Sequence, residues 1–483
     1  MYFGLEENIR CALRRTSQCL DVISLSVNID GLPVFKSCHV SVWPIQCAIT
    51  NLESGAPFVV SLFGSDRSST KPCNLDFLLD FVVELKALMD TGIALSGRTA
   101  RVKLEAFICD APARAMVKGI IAFNGIFGCD FCDVQGHHEN GRTMFLSEGT
   151  PRTDESFRRK ENPKHHKQDS PLLMLDIDMV KQFPIDPMHS VDLGVMKRLL
   201  LIWKEGPRQT RLSNGQLTVV SNQLKAIAPF MPPVFNRKTR GLEEVKLWKA
   251  TEFRTFLLYT GPIVLQGVLP PQMFSHFMCL SVAIKILHWK GNHLKDYHGY
   301  AKDLLRNFVV NAKFLYGEQL LTYNVHSLLH LADVAEHFDG LGQCSAYAFE
   351  NHLGIIKRSV RGTSQVVRQI AHRLHERKSL PVQPKKPVHA QLRRGHCCLT
   401  KCSNYGIVRE LRRGTVLLEV FENLQPSFRE PCDSTLTGVF DVRNTQTKLM
   451  EVPECGIVSH AIHVPQSIID PVHAVVGTVI KIL

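Results

Sequence analysis

The sequence predicts an α/β core, interrupted by a large, mostly α-helical insertion and followed by a small β-rich C-terminal domain. Three observations carry this expectation. Short β-rich runs alternate with helical patterns through the first third of the chain. A Leu-rich helical pattern punctuated by Pro and Gly then extends over residues 171–378, and β-type runs bounded by Gly, Asn and Pro return after SLPVQPKKPV. Composition agrees: 483 residues, 45% hydrophobic and 21% charged, form two or three folded domains and exclude disorder over most of the chain, collagen-like repeats and coiled coils.

The elements follow in order. After an N-terminal segment (1–21), β-rich runs occupy residues 22–30 (VISLSVNID), 40–48 (VSVWPIQCA) and 57–64, separated by turn residues. Residues 74–90 (NLDFLLDFVVELKALMD) space their apolar positions as a helix does, 101–110 (RVKLEAFICD) return to a β-type run, and Pro112 opens another helix. Three strands, a helix, a fourth strand and a helix is the order of a ribonuclease-H-like fold. The expected boundaries are 22–139 for the first part of that core, 140–343 for the insertion, 344–380 for a helix completing the core and 387–483 for the β-rich domain. Residues 141–168 read as a polar surface loop. The stretch 255–284 carries no charge, but Pro262, Pro270, Pro271 and polar Gln and His positions break it into two buried helices rather than a membrane span.

Charge and cysteine usage narrow the chemistry. Lys and Arg number 57 against 45 Asp and Glu, a net charge of +12, which favours a polyanionic partner. Fifteen cysteines are too few for a disulfide scaffold of this length, and the opening MYFGLEENIRCALRR lacks the apolar core of a signal peptide. In a reducing compartment, clustered cysteines bind metal.

Three acidic residues stand where a metal-dependent nuclease needs them. Asp30 closes the first strand in NIDGLP, Asp110 closes the fourth in ICDAPA, and Glu350 lies on a helical stretch, YAFENHLGIIKR. Carboxylates converging from separate elements can hold two Mg²⁺ or Mn²⁺ ions, one activating the attacking oxygen and one the leaving oxygen. For Asp30 alone, a turn role before Gly31 explains the residue equally well. A second constellation joins Cys129 and Cys132, in CDFC, to His326 and His330, spaced i to i+4 in NVHSLLHL. Two thiolates and two imidazoles complete a tetrahedral zinc site that would pin the start of the insertion to its end. The alternative is two buried cysteines and two core histidines, with His137, His138, His165 and His166 as rival ligands. Cys397, Cys398 and Cys402 are expected to be free.

These residues stand among longer matches: SVNIDGLPVFKS with VWPIQ downstream, ICDAPARAMVKG, GCDFCDVQG, FPIDPMHSVDLGV, WKATEFRTFLLYTGPIVL and TYNVHSLLHLADVAEHFDGLGQCSAYAFENHLGIIKR. Over residues 22–378 the chain resembles the transposases of CACTA-type (En/Spm-like) DNA transposons, in the DDE and ribonuclease-H-like superfamily. The resemblance implies Asp30, Asp110 and Glu350 as the metal-binding triad, and strand cleavage and transfer as the activity. Double-stranded DNA is the implied partner, with homo-oligomeric assembly, nuclear residence and neither a membrane nor a small-molecule substrate. The Cys/His pattern also resembles the zinc site of the vertebrate antigen-receptor recombinase. Asp186 and His189, in DPMH, match a further family motif, read either as a supporting or DNA-facing pair or as a helix start capped by Asp186. Lys357, Arg358 and Arg361 open a basic segment that, continuing the Glu350 helix, would hold a DNA strand beside the metals or else form a solvated face. Family members usually carry a zinc-finger-like DNA-binding domain ahead of the core; here about twenty residues precede the first strand. The expected alternative is therefore a truncated or domesticated copy that binds DNA nonspecifically or serves as a protein-interaction module.

Overall fold

The computed structural model describes residues 1–35, 41–53, 55–64, 72, 74–95, 97–378, 391–442, 445–464 and 478–482. The linker SLPVQPKKPV, residues 36–40 of the first motifs and 473–477 of the last β-type run lie outside the described residues. The chain divides into two compact units, Met1–His189 with Leu321–Gln383 and Ser190–Leu320 with Pro384–Leu483.

The first unit is built on a mixed sheet. Strand β1 (Val22–Ile29) is followed by the short β2 (Leu32–Pro33), then β3 (Ser41–Ile49) and β4 (Phe58–Gly64). A hairpin of β5 (Ile93–Leu95) and β6 (Arg98–Phe107) completes it. β3 lies antiparallel to β1, with Leu25 opposite Ile49, and antiparallel to β2 and β4. β6 alone runs parallel to β1, with Val22 opposite Arg101. β1 is buried from Leu25 to Ile29 on both faces, with Leu25, Val27 and Ile29 on one face and the buried polar Ser26 and Asn28 on the other. Helices α1 (Leu5–Leu13) and α2 (Leu79–Thr91) contribute Leu5, Ile9, Phe81, Val82 and Leu85 to one core with the strands. Because β1 and β6 are parallel neighbours, their C-terminal ends fall side by side, and the chain turns there into α3 (Ala111–Lys118).

Three features of this unit differ from the sequence expectation. The segment before the first strand is not featureless: α1 is amphipathic, and its Leu5 and Ile9 are fully buried. The polar stretch 141–168 is not a plain surface loop. It contains a strand (Arg142–Met144), a helix (Asp154–Arg158) and a fully buried His165, because Phe157 packs on His165 and the His165 Nδ1 meets the Phe127 carbonyl at 2.8 Å. The helix carrying Glu350, Tyr347–Ser359, does not continue through the basic segment. Val360 is extended, and a new helix runs from Val366 to Lys378. Gln369 makes the corner: its Oε1 accepts from the Arg361 and Gly362 amides, while its Nε2 donates to the Gly362 and Ser364 carbonyls.

The second unit holds the helices Lys197–Glu205, Asn214–Ile227, Pro271–Leu287 and Gly291–Tyr316, and an eight-stranded sheet formed by the C-terminal segment. The charge-free stretch forms the short helix Gly261–Val264 and the buried helix Pro271–Leu287. Among the described residues, no helix is long and apolar enough to cross a membrane.

Candidate metal centre

Asp110 sits at the junction of β6 and α3. Its extended backbone makes it the N-cap, and its Oδ1 accepts the Ala113 amide at 2.8 Å. Asp30 follows β1, with Oδ1 accepting the Gly31 amide at 2.6 Å. Local turn chemistry therefore fixes both side chains at neighbouring strand ends. Glu350 enters from the first turn of the helix Tyr347–Ser359 and lies beside Asp30. Burial, then the charges of Asp110 and Glu350, push the Asp30 carboxyl up to about 8, against the lowering effect of His189. Crowding of negative charge in a partly dry pocket is the arrangement a divalent cation relieves, and the donor set, oxygen only, suits Mg²⁺ or Mn²⁺.

Asp186 and His189 border this cluster, and the two sequence readings of the pair coexist. Asp186 accepts from the Met188 and His189 amides at 3.1 Å each, as a helix cap does. It also accepts from the Ala346 amide at 2.9 Å, fixing the start of the Glu350 helix, and meets His189 Nδ1 at 2.6 Å. The opposite nitrogen, Nε2, lies 3.8 Å from Glu350 Oε1. Burial disfavours charge on His189, but Asp186 first, then Asp110 and Glu350, raise it to about 9. His189 thus lies beside the acidic cluster, held toward its protonated form.

The second constellation also comes together. Cys129 and Cys132 Sγ lie 3.5 Å apart, and Cys132 Sγ is 3.3 Å from His326 Nε2. Cys129 Sγ lies 3.6 Å from His330 Nε2, and the two Nε2 atoms are 3.3 Å apart. All four ligand atoms fall within 4.8 Å of one another. Ordinary Zn–S and Zn–N bonds imply tetrahedral edges of about 3.3–3.8 Å, so the quartet fits zinc. Burial and the hydrogen bond to Cys132 raise the Cys129 thiol, while that bond and both imidazoles pull Cys132 down toward the thiolate. The rings are held by stacking: His326 on Phe145 at 5.2 Å and His330 on Phe131 at 5.6 Å. Of the rival ligands, His137 is exposed in a hairpin, His138 meets Thr143 Oγ1 at 3.0 Å, and His165 faces the Phe127 carbonyl. Cys397 and Cys398 are buried in a strand and Cys402 is exposed; none belongs to a metal-binding group among the described residues.

Sequence reasoning missed the charges that tie the two sites together. Arg114 Nε donates to Asp130 Oδ2 at 2.6 Å and its NH1 to the Pro184 carbonyl at 2.9 Å; its NH2 donates to the Tyr323 hydroxyl. Tyr323 in turn donates to Asp130 Oδ1 at 2.8 Å. Asp130 stands between the two cysteines, Arg114 one turn after Asp110, and Tyr323 three residues before His326. Arg114 beside it, then Lys118, hold the Asp130 carboxyl well below the carboxylate range despite burial. A charged residue inside the CDFC knuckle was the available signal.

The basic residues are placed unevenly. Lys357 donates its Nζ to the Pro33 carbonyl, clasping the Glu350 helix to β2, whereas Arg358 and Arg361 are exposed. No family model matches the chain, and no curated protein is significantly similar to it.

Proposed function

We propose that the chain is a DDE-type DNA transposase, or a protein derived from one, whose first unit is a ribonuclease-H-like core. The observation that carries this reading is the approach of Asp30, Asp110 and Glu350 from the ends of two parallel neighbouring strands and from a helix far along the chain. The strand order, three antiparallel strands extended by a parallel fourth, and the Cys/His quartet support it.

In this reading, Asp30, Asp110 and Glu350 would hold two divalent ions, whose bound charge would supply activation of an attacking oxygen and stabilisation of a leaving one. The protein's own residues do the rest. The N-cap bond fixes Asp110, Asp186 fixes the start of the Glu350 helix, and the His189 imidazolium attracts the phosphate of a backbone lying over the carboxylates. The exposed Arg358 and Arg361 neutralise neighbouring phosphates without reading sequence. Zinc at Cys129, Cys132, His326 and His330 closes the seam before the Glu350 helix. Residence in the nucleus and homo-oligomeric assembly are part of the proposal, since two DNA ends must be cut together.

Incubation of the zinc-loaded chain with linear double-stranded DNA and Mn²⁺, with and without the element's terminal repeats, tests the reading. Wild type nicks DNA, and Asp110→Asn abolishes cleavage while leaving the melting temperature unchanged or higher through relieved repulsion. Cleavage that survives Asp110→Asn, or equal loss of folding and activity, sinks the proposal. Cleavage that ignores the terminal repeats identifies the end-blind, domesticated form.

A further inference from the structure

From the Glu350 helix into the sheet runs a chain of hydrogen bonds that the proposed chemistry does not use. His352 Nδ1 meets Gln46 Oε1 at 2.6 Å, Gln46 Nε2 donates to Asn28 Oδ1 at 2.8 Å, and Asn28 Nδ2 donates to the Ile108 carbonyl at 2.8 Å. Asn28 and Gln46 face each other across β1 and β3 and are 1% and 0% exposed, so neither amide can turn to water for a partner. Each member on the outer elements stands two residues from a carboxylate: Asn28 from Asp30, Ile108 from Asp110, His352 from Glu350.

The direction of this chain is determined from one end. A backbone carbonyl only accepts, so Asn28 presents Nδ2 to Ile108 and Oδ1 to Gln46. Gln46 must then donate through Nε2 and accept through Oε1, which requires the proton on His352 Nδ1. Every amide orientation and the imidazole tautomer follow, and a change at any link leaves a buried polar atom unpaired. Stability alone does not call for such a device, since an apolar pair of the same shape on β1 and β3 would pack as well. What the relay adds is register. The Glu350 helix reaches the sheet from a distant part of the sequence, and the relay fixes its height against the ends of β1 and β6.

We infer that Asn28, Gln46 and His352 are positioning residues that hold Glu350 in register with Asp30 and Asp110. The inference rests on the divalent-metal reading of the three carboxylates. Groups that orient metal ligands without touching the ion typically contribute about 10–100-fold to affinity. Mn²⁺ binding to the full zinc-loaded chain, followed by calorimetry and by the electron paramagnetic resonance of bound Mn²⁺, tests it alongside thermal melting without Mn²⁺.

Wild type binds Mn²⁺, and Asp110→Asn does not. His352→Phe and Gln46→Met weaken binding about tenfold or more with an altered resonance spectrum, while melting falls only as far as one lost buried hydrogen bond accounts for and the chain stays folded. His352→Gln, which still offers an N–H to Gln46, keeps most of the affinity. Should wild type bind no Mn²⁺, the carboxylate reading fails and this inference with it. Should wild type bind and Asp110→Asn fail to bind, while His352→Phe matches wild type, the carboxylate reading stands and the relay inference alone is overturned. Equal losses in His352→Gln and His352→Phe overturn it too, because the hydrogen bond would not be the agent. If Gln46→Met does not fold, the two variants of the half-buried His352 decide the question.

Discussion

Arg114 and Asp130 form a fully enclosed ion pair, each about 3–4% exposed at the side chain, with Tyr323 and the Pro184 carbonyl taking the remaining donors. Removing Arg114 leaves Asp130 with Lys118 Nζ, 3.7 Å away, as its nearest counter-charge, out of reach of water. Arg114→Met is expected to lower stability by about 3–5 kcal/mol, measured by denaturant titration. Arg114→Met with Asp130→Asn should recover part of that loss, whereas a simple packing defect would make the double variant worse. The difference between these residues and the carboxylates bears on what a sequence discloses. Asp30 and Asp110 were legible because each ends a β-type run beside turn residues, a local signal. The partnership of Arg114 with Tyr323 spans 209 positions and leaves no local pattern. Gln46 and His352, 306 positions apart, are hidden for the same reason.

At the scale of elements, two expectations about metal and protonation can be checked. The CDFC knuckle and the His326 helix meet through the four ligand atoms, stacked rings and the Tyr323–Asp130 hydrogen bond, so zinc bound at the quartet would add folding free energy at that seam. Cys132→Ser should lower both bound zinc, read by elemental analysis, and Mn²⁺-dependent cleavage; His137→Ala should change neither. In the second unit, His276 Nε2 bonds the Phe308 carbonyl at 2.8 Å, and its Nδ1 is buried with no partner among the described residues. Burial pushes His276 down to about 4, below its usual 6.5, against the raising effect of that carbonyl. The unfolded chain therefore takes the proton first. The stability His276 lends is complete above about pH 6.5 and is lost as pH falls toward 4, up to about 3 kcal/mol. His276→Gln keeps a donor but cannot titrate, so its unfolding free energy should fall less steeply over that interval. The strands and long helices were readable from periodicity. The break after Ser359 was not, because it depends on one glutamine side chain, Gln369, satisfying four backbone groups.

For the molecule as a whole, with a net charge of +12, the proposed DNA binding carries an expected response to salt. Binding to a nonspecific duplex should weaken linearly on a logarithmic salt scale, and Arg358→Ala with Arg361→Ala should flatten the slope by about 0.9 for each phosphate no longer neutralised. Lys357→Ala should alter the slope less, since its Nζ is already held by the Pro33 carbonyl. An unchanged slope in the double variant would assign those arginines to a solvated face. The Cys/His quartet has a further meaning at this scale. Cys129 and His330 stand 201 positions apart, so an ion joining them turns everything between into a ring. Closing a ring costs entropy only as the logarithm of its length, about 0.6 kcal/mol for each doubling. The first unit is therefore nearly indifferent to how much chain the ring contains. On the proposed reading, segments would be free to come, go or be exchanged between His189 and Leu321 while a zinc-closed ring keeps Glu350 aligned with the two aspartates, and what the insert does would change independently of the chemistry proposed for the carboxylates.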